Sequence, residues 1–324
     1  MKNINKNTVI VIFAPTASGK TAMTRELFSP SGSHFIFKGE VISADSQSVY
    51  KGMDIGTAKP DFAFRNEIPH HLIDILTPDK QFNVSDFVDL ADEACEKIIA
   101  KGAVPIVCGG TGFYIRNFLY GVPKTPESDE KLRKQLKERI IKEGNEVLYK
   151  ELQKVDPKSA EKIHINDAYR ICRALEVFYL TGKTRDEFLL KPGLRDKYNF
   201  IFIVLQPPRE KLYERIRQRV DLMFEQGLEQ EVQKLIKDGY TKDSPGLKAI
   251  GYSEWFENTD VEKIKEEIKH HSTKYAKKQY TYIRDIPGSL VVDYDSDSED
   301  CLEKVYELLT KVYNSVIIQY HFIK

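Results

Sequence analysis

A short run, Thr8-Val-Ile-Val-Ile-Phe13, feeds directly into Ala14-Pro-Thr-Ala-Ser-Gly-Lys-Thr21, and few folds accommodate that join. The first six residues are apolar and β-branched, as expected of a strand covered on both faces. The next eight follow the phosphate-loop pattern G-x-x-x-x-G-K-[ST], with Ala14 standing where the first glycine belongs. Such a loop turns backbone N–H groups and a helix N-terminus on an anion. Gly19 permits close approach, Lys20 neutralises phosphate oxygens and Thr21 offers a hydroxyl to Mg²⁺. Ala14 makes the first turn tighter without forbidding it. A second apolar run, Val41-Ile-Ser-Ala44, delivers Asp45. In an open α/β sheet the carboxyl ends of the strands meet at the ligand crevice, so this carboxylate is expected near the phosphates. By spacing alone it reads equally as a general base, as a helix cap or as an outer ligand of Mg²⁺.

Further short runs at Leu72–Ile75, Val104–Val107, Ile201–Leu205 and Leu290–Val292 alternate with longer helical patterns. The alternation predicts an α/β fold: a phosphate-loop parallel sheet covered by helices on both faces. In the helical segment 83–101, Phe87, Leu90, Ala91, Ala94, Cys95 and Ile98 form one stripe, and Gly102 ends it. Gly121-Val-Pro-Lys-Thr-Pro-Glu-Ser-Asp129 then interrupts the alternation, and a helix-rich stretch without a clear strand runs to Lys191-Pro-Gly193. The expected organisation is a catalytic core in two parts, 1–124 and 199–324, with a helical insertion domain over 125–198. The acidic run Asp293–Asp300 reads as a solvated loop.

Lys and Arg together number 49, as do Asp and Glu, so affinity for a polyanion must come from local clustering of charge. The four cysteines show no CxxC pair, which argues against a disulfide framework or a zinc site and fits a reducing, cytoplasmic setting. Lys2 and Lys6 before an apolar run imitate a secretory leader, but the run leads straight into the phosphate loop. No stretch is apolar for long enough to span a bilayer. Nothing demands more than a monomer.

Beyond Asp45, the string Tyr50-Lys-Gly-Met-Asp-Ile-Gly-Thr-Ala-Lys-Pro60 closely resembles the tRNA dimethylallyltransferases, bacterial type. Further matches run in order through Pro69-His-His71, Asp74, Gly109-Gly-Thr111, Tyr114, Asp156-Pro157, Asn166-Asp167, Arg173-Ala-Leu-Glu176, Thr181-Gly-Lys183, Gly251-Tyr252, Ala276-Lys-Lys-Gln279 and Arg284. The resemblance implies transfer of a dimethylallyl group from dimethylallyl diphosphate to the exocyclic amine of adenine at tRNA position 37, with release of diphosphate.

On that resemblance Thr16, Ala17, Ser18, Gly19, Lys20 and Thr21 hold the diphosphate with Mg²⁺ on Thr21. Asp45 takes the amine proton, and Arg219 neutralises the leaving group. Arg215, one helical turn earlier, is expected to face the same way. The anticodon stem–loop is expected on Asp45, Ser46, Gln47, Ser48, Thr111, Arg133, Tyr169, Arg170, Ile171, Cys172, Arg173, Lys248, Ala249, Ile250, Gly251, Tyr252 and Ser253, with the insertion as its clamp. The basic run 269–284 presents Lys274, Lys277 and Lys278 on one helical face, and with the family match an RNA-facing helix is favoured. His270 and His271 are adjacent on the helix and are not read as metal ligands.

Three rivals remain from the residues alone. A small-molecule kinase binding ATP would use the same loop, but the Val104–Val107 run ends in Cys-Gly-Gly-Thr rather than in a second acid. A prenyltransferase acting on free adenine nucleotides would need no clamp. A noncatalytic RNA-binding protein would have no use for the leaving-group site.

Overall fold

The computed structural model describes residues 7–190, 192–283, 286 and 288–319. Lys2, Lys6, Lys191 and Arg284, singled out above, lie outside them. Six strands, β1 (Thr8–Phe13), β2 (Gly39–Ser43), β3 (His70–His71), β4 (Val104–Gly109), β5 (Asn199–Gln206) and β6 (Leu290–Asp293), form one sheet in the order β3-β2-β4-β1-β5-β6. Every pairing is parallel, and helices flank both faces. The helices are α1 (Lys20–Phe28), α2 (Phe62–Glu67), α3 (Val84–Ala100), α4 (Gly112–Tyr120), α5 (Glu130–Glu143), α6 (Asn145–Val155), α7 (Pro157–Lys162), α8 (Ala168–Thr181), α9 (Arg209–Glu225), α10 (Leu228–Lys237), α11 (Val261–Ile283) and α12 (Glu299–Gln319).

All six residues of β1 are buried. Ile10 and Ile12 face Met23, Leu27 and Phe28 of α1 in the main core, which fixes the phosphate loop to the centre of the sheet. Ala14 belongs to this core and is fully buried. It is not among the residues with positive φ, so a β-carbon is tolerated where the pattern has glycine. Asn83 caps α3 through a reciprocal capping box with Asp86. The expected stripe is buried at Phe87, Ala91, Ala94, Cys95 and Ile98.

The third strand departs from expectation. It is His70–His71, not Leu72–Ile75, because Leu72 and Asp74 take left-handed backbone (φ 62° and 56°) and turn the chain out of the sheet. Asp74 then receives Lys59 Nζ at 2.6 Å and Arg65 Nη1 at 2.7 Å. Lys59 also donates to the Tyr50 carbonyl at 2.5 Å. These bonds shape the segment 50–60 into a wall above the carboxyl end of β2.

Glu231 of α10 completes that wall. Its Oε2 accepts the N–H groups of Asp54 and Ile55 at 2.8 Å each, and its Oε1 accepts Gly56 N–H at 3.1 Å and the Tyr252 hydroxyl at 2.6 Å. A β-carbon on Gly56 would stand 2.6 Å from the fully buried Tyr252 ring. Gly56→Ala is expected to destabilise the protein by about 1–3 kcal/mol through overpacking, read as a lowered urea midpoint at unchanged m-value. An unchanged midpoint would show that the ring yields freely.

A second compact unit, Tyr120–Gly193, has its own core of Leu136, Leu148, Leu152, Ile163, Ile171 and Leu175. Asp129, Asp156 and Asp167 cap α5, α7 and α8. Within it Glu176, 1% exposed, accepts Ser128 Oγ at 2.6 Å, Asp129 N–H at 3.0 Å and Arg173 Nη1 at 2.6 Å. Burial alone would raise the Glu176 carboxyl, but the Ser128 and Arg173 bonds outweigh it and the net direction is down.

Candidate active site

The carboxyl ends of β1, β2 and β4 carry the phosphate loop, Asp45 and Gly109-Gly-Thr111 to one edge of the sheet, where Thr16, Lys20, Thr21, Asp45, Gly109 and Gly110 line a cavity of about 390 Å³. Gly109 makes this convergence possible: a β-carbon there would lie 2.1 Å from the Ala44 carbonyl oxygen. Thr111 N–H bonds that same carbonyl at 3.1 Å, and Thr111 Oγ1 accepts Ser46 N–H at 3.1 Å. Thr111 is thereby held beside Asp45.

In the phosphate loop Ala17 and Gly19 both adopt left-handed backbone, φ 59° and 84°. Left-handed residues interleaved with ordinary ones turn successive N–H groups toward a common concavity. Ser18 is 1% exposed and its hydroxyl has no partner among the described residues. A buried hydroxyl left unpaired costs free energy, so the loop is built for something that accepts or coordinates there. Thr21 is exposed on the cavity wall. Lys20 Nζ donates to the Ala14 and Pro15 carbonyls at 2.9 and 2.7 Å, which uses two of its three protons.

Burial pushes Lys20 from its ordinary 10.5 down to about 8; Arg219 adds to this, while Cys108 and Asp45 oppose it. An anion binds the ammonium form, so affinity for inorganic diphosphate is expected to be full below pH 8 and to weaken above it by up to about tenfold per unit. Titration calorimetry from pH 7 to 9.5 measures this, and Lys20→Gln should bind more weakly and lack that limb. A wild-type affinity that tracks the variant's across the range would show that Lys20 does not titrate there. Between about 8 and 10.5 the unfolded chain holds a proton that the folded one has released, so stability rises with pH in that window.

Asp45 uses its two oxygens differently. Oδ1 accepts Gln47 N–H at 2.8 Å and Ser48 N–H at 3.4 Å, a local cap. Oδ2 accepts no hydrogen bond from the described residues and remains available on the cavity wall. Arg219 projects from α9 to the same wall, half-buried and without a hydrogen bond or ion pair among the described residues. Burial lowers its guanidinium from the ordinary value and Asp45 partly restores it. A cation held in a cavity without a partner is suited to an incoming polyanion.

Arg215 does not face the same way, contrary to expectation. It is claimed by Asp295, and by Asp297 at 2.6 Å, while Lys211 also reaches Asp295 at 2.5 Å. The acidic run is thus an anchor for α9, not merely a solvated loop. These cations hold the Asp295 carboxyl down at about 2.

The residues expected to meet RNA are distributed unevenly. Ser46, Gln47, Ser48, Lys248, Ala249 and Ile250 line the cavity. Gly251 N–H is fixed at 2.9 Å to Glu254, a 1% exposed carboxylate that also bonds His271 Nδ1 at 2.8 Å. Tyr252 is buried under Gly56, and Ser253 Oγ bonds Glu254 at 3.2 Å. In the second unit Tyr169 and Arg170 are exposed, with Arg133 above the Tyr169 ring at 5.9 Å. Ile171 and Cys172 are buried in its core. Arg173 is occupied by Glu176, Thr125 Oγ1 and the Pro126 carbonyl. Among the described residues no group of three His, Cys, Asp or Glu side chains is placed to hold a metal, and no helix is long and apolar enough to cross a membrane.

Sequence reading assigned no role to Glu231, Gln279 or Tyr275. Gln279 stands inside a quoted motif, but its partners lie far away in the chain, so spacing carried no signal of its task.

Comparison with known proteins agrees with this geometry. A family model described as IPP transferase matches residues 48–286. The tRNA dimethylallyltransferase of Acetivibrio thermocellus is 41% identical over 314 residues, covering 93% of this chain and 97% of the relative. That of a Sulfurihydrogenibium species is 43% identical over 281 residues, covering 85% and 88%. Among solved structures, the full-length tRNA isopentenylpyrophosphate transferase of Bacillus halodurans superposes with a TM-score of 0.67 at 33% identity, covering 98% of this chain and 100% of that one. A eukaryotic dimethylallyltransferase acting on tRNA gives a TM-score of 0.77 at 29% identity, covering 91% and 76%. Matched along nearly its whole length, the chain belongs to the IPP transferase family, the tRNA dimethylallyltransferases, which transfer a dimethylallyl group to tRNA with release of diphosphate.

Proposed function

We propose that the donor is dimethylallyl diphosphate and the acceptor the exocyclic amine of the adenine immediately 3′ of the anticodon, extruded from its stack into the cavity. The single observation that carries this reading is the juxtaposition of Asp45 Oδ2, free of hydrogen-bond partners among the described residues, with Arg219 and the phosphate loop around one cavity.

The amine nitrogen forms a bond to the allylic carbon as the bond from that carbon to the diphosphate oxygen breaks. The bonding electrons leave with the diphosphate, and the amine proton passes to Asp45. Lys20, Arg219 and the inward N–H groups of the loop lie where that negative charge accumulates, and their fixed positions avoid reorganisation during the step. Val41, Phe64, Ile216, Val220, Met223 and Ile268 supply an apolar wall for the five-carbon chain.

Ser18 Oγ and Thr21 Oγ1 are hard oxygen donors beside the loop, and the unpartnered state of the former fits an Mg²⁺–diphosphate pair. When bound there, Mg²⁺ would neutralise charge on the leaving group. The exposed Tyr169 and Arg170, with the half-buried Arg133 between the Tyr169 ring and Glu176, give the second unit a basic, aromatic surface suited to an RNA stem–loop, where phosphate and stacking contacts dominate.

Mass spectrometry of anticodon-loop nucleosides tests the proposal. An unmodified tRNA transcript with adenine 3′ of the anticodon, incubated with enzyme, dimethylallyl diphosphate and magnesium, is expected to gain one dimethylallyl group on that adenine. Modification at another nucleotide, or none, overturns it.

A further inference from the structure

Helix α11 turns Lys274, Lys277 and Lys278 to solvent and buries Ala276 and Gln279. Gln279 is 4% exposed, and both ends of its amide are used. Oε1 accepts Thr16 N–H, at the start of the phosphate loop, at 3.1 Å. Nε2 donates to the Gly110 carbonyl at 2.7 Å. Gly110 leads into Thr111, which holds Ser46 N–H beside Asp45. One side chain therefore ties the diphosphate cradle to the end of β4, whose Thr111 holds the segment that carries the base. A β-carbon on residue 110 would stand 2.5 Å from the Gln279 amide nitrogen, so the contact depends on bare backbone there.

The task needs an acceptor on one side and a donor on the other. Glutamate lacks the donor and methionine or leucine lacks both, whereas an amide at this reach has the pair. The Gly110 carbonyl also accepts Gly112 N–H at 3.1 Å, so the Gln279 amide supplies its long-range partner rather than its local one.

We propose that Gln279 is a positioning residue that sets the phosphate loop in register with the Asp45–Thr111 side of the cavity, so that leaving group and attacking amine are held in line. The inference rests on the transferase reading of this cavity, and it assigns Gln279 no contact with the reacting atoms. Misplacement by about an ångström costs on the order of 100-fold in rate.

The test uses Gln279→Glu, nearly isosteric, and Gln279→Leu. The glutamate carboxylate still accepts Thr16 N–H but turns an oxygen toward the Gly110 carbonyl, and protonation returns the missing donor. Titratable and charged groups facing the cavity are Tyr275 on the same helix, Lys20 on α1, Asp45 and Lys59 after β2, His70 on β3, Cys108 at the end of β4, Arg219 on α9 and Lys248 after α10. They are common to variant and wild type, so the ratio of the two isolates position 279.

At pH 8.5 kcat of Gln279→Glu should fall about 100-fold with KM for the tRNA within about twofold, and the deficit should shrink at least tenfold by pH 6. Gln279→Leu should show a loss that acid does not repair. A Glu-variant ratio flat with pH, an unchanged kcat, or equal acid recovery in the leucine variant overturns the proposal. Should the leucine variant fail to fold, the Glu variant compared with wild type at the two pH values decides alone. Binding of inorganic diphosphate to the same proteins is a second readout: the Glu variant's affinity relative to wild type should recover on acidification. It separates the two ideas, because a wild type that transfers nothing to tRNA defeats the transferase reading while diphosphate affinity still reports on Gln279.

Discussion

Asp45→Asn is expected to slow single-turnover transfer by about two to four orders of magnitude while tRNA affinity stays within a few-fold. The substitution keeps the local cap, because an amide oxygen still accepts Gln47 and Ser48 N–H groups as Oδ1 does. It removes the basicity of the second oxygen, which has no other task among the described residues. The cap and the base thus separate within one side chain, and asparagine tests the second without disturbing the first. Rapid-quench kinetics with labelled dimethylallyl diphosphate reads the chemical step, and filter binding reads the RNA. Equal transfer rates in variant and wild type would remove Asp45 from the mechanism.

The second large effect belongs to Arg219. Arg219→Gln should lower kcat by about 100- to 1,000-fold, the range for removing one donor from a preorganised charge-stabilising site. The cation has no hydrogen-bond or ion-pair partner among the described residues to abandon, so folding should be spared; relieving a half-buried guanidinium of its desolvation is expected to leave the melting temperature unchanged or raised. Arg215→Gln gives the opposite pattern. It strips Asp295 and Asp297 of a shared partner on α9, so its effect should be read in stability before rate. A rate loss in Arg215→Gln as large as in Arg219→Gln, at equal stability, would mean that the two arginines share the leaving group.

The two arginines illustrate what could be read ahead of the fold. Four residues apart on a helix, they share a face by geometry alone. The acidic run that captures one of them looked like a solvated loop because nothing local tied it to α9. Leu72–Ile75 misled for a related reason: its apolar, β-branched composition suits a strand, but Lys59 and Arg65 draw Asp74 into a left-handed turn. Arg173 carried a basic charge in a family motif, and only the folded unit shows that Glu176 and the Pro126 carbonyl already occupy it.

What the chain declared by itself was local in sequence: the apolar β1 run, the phosphate loop, the carboxylate closing β2 and the stripe of α3 with the glycine that ends it. These are legible because backbone conformation and hydrophobic period act over a few residues. Tertiary structure alone decided which polar groups meet across long stretches of chain. Glu231 on the 54–56 backbone, Gln279 between Thr16 and Gly110, and Arg219 left unpaired beside Asp45 depend on helices laid over the sheet edge. The physical reason is that buried donors and acceptors must be satisfied by whatever packing brings near them, and that choice leaves no periodic trace in sequence.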